Sequence, residues 1–123
     1  MLMNKKILIV DDDPRNIFAL KLTLKARGYQ TESCTMAREA ISVLERDGQF
    51  QAVLMDMMMP EMDGYQAIKI IKEMPSARDI PIIAVTAQAM PEDRQKCLDA
   101  GAEDYISKPI DVDKLITAIE KLM

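Results

Sequence analysis

The sequence contains no histidine. That absence excludes a Ser-His-Asp or Cys-His nucleophile pair, a histidine metal centre and any phosphohistidine formed on this chain itself. Tryptophan is also missing, and two phenylalanines and three tyrosines leave a core that must be aliphatic and rich in the eleven methionines. Cysteine is scarce. Cys34 and Cys97 lie far apart with no C-x-x-C spacing, which reads as two buried thiols in a reducing compartment rather than a disulfide scaffold. Long hydrophobic runs are absent too. Lys5 and Lys6 precede an apolar stretch, but it spans only Ile7 to Val10 before three aspartates, far short of a secretory h-region or a membrane span. Basic charge is in deficit, with 16 Lys and Arg against 20 Asp and Glu and a net charge of −4, so no basic face for nucleic acid is expected. The expectation is a cytoplasmic protein with no membrane insertion and no direct nucleic-acid partner.

What remains is one domain, residues 1–123, in which short apolar runs alternate with longer amphipathic stretches. Lys6–Val10, Ala52–Met55 and Ile82–Val85 are nearly continuous apolar runs, as expected of strands covered on both faces of a parallel sheet. Tyr29–Cys34 alternates with polar residues and suits an edge strand; Tyr105–Ser107 is a weaker fifth strand. Between them lie five helical stripes. Ile17, Leu20 and Leu24 precede Gly28 as a stop, and Ala37, Ala40, Ile41 and Leu44 precede Gly48. Ala67, Ile68 and Ile71 follow Gly64. Pro91, Glu92 and Asp93 open a fourth helix that Gly101 ends. Asp111 caps a fifth carrying Leu115, Ile116, Ile119 and Leu122. Five β-α units with right-handed crossovers predict a doubly wound, flavodoxin-like α/β domain: a five-stranded parallel sheet of order 2-1-3-4-5 with five helices.

The polar residues that break this pattern fall at strand ends. Asp11, Asp12 and Asp13 follow the first strand, Asp56 the third, Thr86 the fourth, and Lys108 lies just past the fifth. In open α/β sheets the ligand crevice lies outside the carboxyl ends of the strands. One such residue would be an ordinary turn former or helix cap. Four strand ends bearing acid, acid, hydroxyl and ammonium instead predict one site.

Asp11, Asp12 and Asp56 held close together would repel unless a cation intervened. Mg²⁺ suits them, since it takes hard oxygens, needs one or two carboxylates and keeps room for water and phosphate. No Cys or His set is available for zinc or copper, and the run Met57-Met58-Met59 reads as packing or rim exposure. A carboxylate can itself be the nucleophile in phosphoryl transfer, a step that depends on positioning and charge neutralisation. Lys108 and the Thr86 hydroxyl would supply the remaining contacts to a phosphoryl group.

ILIVDDDP (Ile7–Pro14), VLMDMMMPEMDG (Val53–Gly64), PIIAVTAQA (Pro81–Ala89) and AGAEDYISKP (Ala100–Pro109), in this order and spacing, resemble the response-regulator receiver family of two-component signalling. The resemblance runs from Lys6 to Leu122. It implies that Asp56 is the phosphoacceptor, that Asp11, Asp12 and Asp56 bind Mg²⁺ with the Met58 backbone carbonyl, and that Lys108 pairs with the phosphoryl group. It further implies a switch through Thr86 and the aromatic Tyr105, reshaping the surface of the fourth helix, fifth strand and fifth helix, and a cis Lys108–Pro109 bond. Asp13 and Pro14 then only begin the first helix. Asp63 and Gly64 read as turn formers, with glycine tolerating positive φ. Met58 and Gln88 stand where the rate of phosphoryl loss is modulated. The implied partners are a sensor histidine kinase or histidine phosphotransfer domain and a downstream target protein or domain. The chain reads as a self-phosphorylating switch, not an enzyme, whether free-standing or part of a larger regulator or hybrid kinase.

Two other classes fit less well. A haloacid-dehalogenase-type Mg²⁺-dependent phosphohydrolase would use Asp11 in D-x-D-x-T/V, but Arg15 stands where T/V belongs. An FMN binder would want Ser, Thr and Gly after the first strand, where DDDPRN would repel phosphate.

Overall fold

The structure, a computed structural model, describes residues 6–59, 64–87 and 90–122. Five strands, β1 (Lys6–Val10), β2 (Gln30–Cys34), β3 (Ala52–Asp56), β4 (Ile82–Thr86) and β5 (Asp104–Ser107), alternate with five helices. The helices are α1 (Pro14–Ala26), α2 (Ala37–Arg46), α3 (Gly64–Glu73), α4 (Pro91–Ala100) and α5 (Val112–Lys121). Every neighbouring pair of strands is parallel and the order is β2-β1-β3-β4-β5, as the alternation predicts.

Side-chain alternation splits the core into two layers. Leu8, Val10, Val53 and Met55 face α2, α3 and α4, where Leu44, Ile68, Ile71 and Cys97 meet them. Ile7, Ile9, Leu54 and Ile83 face α1 and α5, against Leu24, Leu115 and Ile119. Each such fully buried aliphatic side chain contributes about 1.5–3 kcal/mol. β3 and β4 are buried at every position, whereas β2, on the edge, is buried only at Cys34.

The helix ends follow local chemistry. The Asp13 side chain accepts the Arg15 N–H and Pro14 opens α1, both as expected. Asp111 caps α5 by accepting from the N–H groups of Asp113 and Lys114 at 2.9 and 3.2 Å. Gly101 closes α4 at φ 122°, a conformation that strains any residue with a Cβ.

Several boundaries differ from the sequence reading, each for a physical reason. Asp56 and Thr86 are the last residues of β3 and β4 rather than the first beyond them, because the ladder continues: Met57 N–H donates to Val85 O at 2.9 Å and Lys108 N–H to Thr86 O at 2.8 Å. Asp104 likewise joins β5. Tyr29 lies before β2, its N–H closing the end of α1 on Leu24 O at 3.0 Å. Leu122 sits at the C-cap of α5. Gly64 begins α3 without positive φ. A Cβ there would come within 2.9 Å of Met57 Cα, so glycine is required by a close approach rather than by a turn. Asp63 and Gln88 lie outside the described residues.

Candidate functional site

Because all five strands are parallel, their carboxyl ends share one edge of the sheet. β1 and β3 are adjacent, so the residues at their tips meet where the chain changes direction, having gone from β1 to β2 on one side and returned to β3 on the other. Carboxylate oxygens of Asp11, Asp12 and Asp56 lie within 4.8 Å of one another there. Asp56 is only 2% exposed and Asp11 is also buried, while Asp12 opens to solvent.

Each buried carboxylate is oriented by its neighbours. Asp56 Oδ1 accepts the Met58 N–H at 2.9 Å. Its Oδ2 lies 3.4 Å from Lys108 Nζ, which stands 3.7 Å from Asp11 Oδ2. Asp11 Oδ1 accepts the Asp13 N–H at 2.8 Å, and Asn16 Nδ2 approaches the other oxygen at 3.5 Å. Burial pushes the Asp11 carboxyl above its ordinary value and the Asp56 charge adds to this, while the Asp13 N–H and Lys108 oppose it.

Lys108 reaches the two acids from beyond β5, and its peptide bond to Pro109 is cis. Thr86 is buried at the tip of β4. Tyr105, on β5, packs half-buried against the layer containing Cys97, and burial raises its hydroxyl pKa. The methionine run divides: Met57 and Met59 are buried, and Met58 is 51% exposed at the rim. Both thiols are free and buried; burial pushes Cys34 up to about 11.

The donor set fits a hard dication. The three clustered groups are all carboxylates, and three negative charges facing one ammonium leave a net of two. No soft ligand stands among them. The structure therefore brings Asp11, Asp12, Asp56 and Lys108 together, with Thr86 and Tyr105 on the two adjoining strands. Sequence reasoning overlooked Asn16, on the first turn of α1; a polar residue at that point of a helix entered from an acidic loop was the available signal.

The sheet order and the polar carboxyl edge define a doubly wound α/β domain whose acids, hydroxyl and ammonium gather at the strand tips. The chain belongs to the response regulator receiver family of two-component signalling: the model of the response regulator receiver domain matches residues 7–120. It is 36% identical over 121 residues to the polar-differentiation response regulator DivK of Brucella ovis, covering 98% of each chain. It is also 39% identical over 111 residues to the signal transduction histidine-protein kinase BarA of Shigella flexneri, covering 89% of this chain but 12% of that kinase. Among solved structures, the receiver domain of sensor histidine kinase PA1611 of Pseudomonas aeruginosa superposes with a TM-score of 0.87 at 34% identity over 97% of both chains. That structure has a magnesium ion coordinated in its active site cleft. The haloacid-dehalogenase alternative gains no support from these relationships. Among the described residues no helix is long and apolar enough to cross a membrane.

Proposed function

We propose that this chain is a phosphorylation-activated switch in which Asp56 is the phosphoacceptor. An Asp56 carboxylate oxygen attacks the phosphorus of a phosphohistidine on a sensor histidine kinase or histidine phosphotransfer domain. The O–P bond forms as the P–N bond breaks, and the electron pair of that bond returns to the donor's imidazole. A small acyl phosphate can serve in the same way, with its carboxylate leaving.

Asp11, Asp12, Asp56 and the Met58 backbone carbonyl would hold Mg²⁺, which when bound neutralises charge on a phosphoryl oxygen. Lys108, freed from its two carboxylates, pairs with a second oxygen, and the Thr86 hydroxyl donates to a third. No general base is needed, since a carboxylate nucleophile has no proton to give up as it attacks. The phosphoryl group adds about two negative charges and three acceptors to the rim. Thr86 turns toward it, Tyr105 takes the vacated space, and the α4–β5–α5 surface offered to a downstream target changes shape. The chain is a switch with one self-limited chemical event rather than an enzyme, and its place of action is cytoplasmic.

One observation carries this reading: a carboxylate at the tip of β3 lies inside an all-oxygen acid cluster and 3.4 Å from an ammonium group. The test is intact-mass analysis after incubation with acetyl phosphate. Wild type with Mg²⁺ is expected to gain one hydroxylamine-labile adduct of about 80 Da, the mass of the group that carries the new charge. Asp56→Asn, or wild type in EDTA, should gain none. An equal adduct in the variant would remove Asp56 from the reaction.

A further inference from the structure

Away from the rim, α1 carries a second, unsatisfied face. Phe18 and Leu22, one turn apart, are 66% and 56% exposed, although Ile17, Leu20 and Leu24 already bury the opposite stripe of the helix. Together with Tyr29 and Thr31 they wall a groove of about 420 Å³ between α1 and β2. Lys21 and Lys25 line the same groove and form no ion pair with an acid among the described residues. Other cations nearby are matched: Arg15 to Asp13, Arg27 to Asp113, and Lys6 to Glu32 and Asp47. In a chain of net charge −4, two unmatched lysines beside two bare apolar side chains call for a partner that is apolar and acidic at once.

The groove also opens onto a free sheet edge. Among the described residues β2 pairs only with β1. Cys34 O accepts from Asp11 N at 3.1 Å, so Cys34 turns its backbone groups toward β1. Strand alternation then turns Glu32 and Gln30 the same way and aims the N–H and C=O of Thr31 and Ser33 outward.

We propose that this flank binds an extended acidic segment of a partner protein. The segment adds as a strand to the outer edge of β2, seats an apolar side chain between Phe18 and Leu22, and places a carboxylate on Lys21 and Lys25. Backbone pairing supplies affinity and the groove supplies selectivity. A second copy of this chain is the wrong occupant, because pairing two such flanks would bring lysines against lysines. The flank is separate from Asp56 and from the α4–β5–α5 surface, so this binding does not depend on phosphorylation.

The test titrates the isotope-labelled full chain with the capped peptide Glu-Val-Glu-Val-Glu at low ionic strength, followed by amide NMR. Saturable shifts are expected at Phe18–Lys25 and Tyr29–Cys34, with slowed hydrogen exchange at Thr31 and Ser33. The double variant Lys21→Glu, Lys25→Glu should bind about tenfold more weakly or worse, as should the wild type with the same peptide N-methylated at every residue. Equal binding of Lys-Val-Lys-Val-Lys, equal binding of the N-methylated peptide, shifts confined to α4 and β5, or no binding at all would each overturn the proposal.

Discussion

At the scale of single residues, the rim works by giving similar side chains different surroundings. Asp12 is exposed and Asp11 is buried but held by the Asp13 N–H, whereas Asp56 is buried with one oxygen on Met58 N–H and the other facing Lys108. Only Asp56 combines a fixed backbone contact with the nearer approach of the ammonium. Met58 contributes its backbone to this arrangement while its side chain stands at the mouth of the site. A thioether there cannot orient a water toward a phosphoryl group, because it is a poor hydrogen-bond partner. An amide could do so. Met58→Asn is therefore expected to lose the phosphoryl group roughly tenfold faster than wild type, since placing the attacking water removes part of its entropic barrier. Following decay of the labelled species by intact mass after removal of acetyl phosphate checks this; unchanged or slower decay in the variant would contradict it.

At the scale of elements, the strands act as rulers that carry distant residues to one edge, and the opposite edge has its own clamp. Lys6 opens β1 with Nζ 2.6 Å from Asp47, just past α2, and 3.0 Å from Glu32 on β2. The ammonium beside it, together with the Gln49 N–H, holds the Asp47 carboxyl below its ordinary value. A depressed folded pKa means that the unfolded chain binds the proton first as pH falls. The clamp's contribution is thus present above the unfolded value of about 3.9 and is lost as pH drops through the folded pKa. Asp47→Asn should be less stable than wild type in urea at neutral pH, with the gap narrowing below about pH 4; a gap that persists or widens in acid would show that the charge plays no part. Strand cores such as Ile7–Val10 and Ile82–Val85 were legible because β-branched apolar runs have little else to form. Strand ends were not, since Asp56 and Thr86 look like loop residues until the ladder is seen to include them. The reason for Gly64 was equally hidden, because its nearness to Met57 exists only after α3 packs. Phe18 and Leu22 escaped notice because α1 is apolar on two sides, and periodicity alone does not say which side meets the sheet.

At the scale of the whole molecule, a nearly continuous aliphatic core supports a polar edge that strains the fold. Most of that edge could be read from the sequence, because Asp11, Asp12, Asp56 and Lys108 each interrupt an apolar pattern at a strand end; Asn16 carries a weaker signal, a polar residue on the first turn of a helix entered from an acidic loop. Gathering these groups has an electrostatic consequence. Two like charges about 5 Å apart repel by about 3 kcal/mol at an effective dielectric near 20. Asp56 faces two such neighbours, Asp11 and Asp12, and Lys108 at 3.4 Å offsets about 5 of the resulting ~6 kcal/mol, leaving a net penalty of about 1 kcal/mol when no dication is bound. Asp56→Asn removes one charge yet keeps an acceptor for the Met58 N–H, so the variant isolates the electrostatic part. In EDTA it is expected to melt about 3–5 °C above wild type, the shift that 1 kcal/mol produces in a domain of this size. Added Mg²⁺ should raise the wild type more than the variant, because a ligand that binds only the folded state stabilises it in proportion to its occupancy. Thermal unfolding of both proteins with and without Mg²⁺ measures all four values. A variant that melts below wild type in EDTA and responds equally to Mg²⁺ would mean that the clustered carboxylates neither repel one another nor hold the ion.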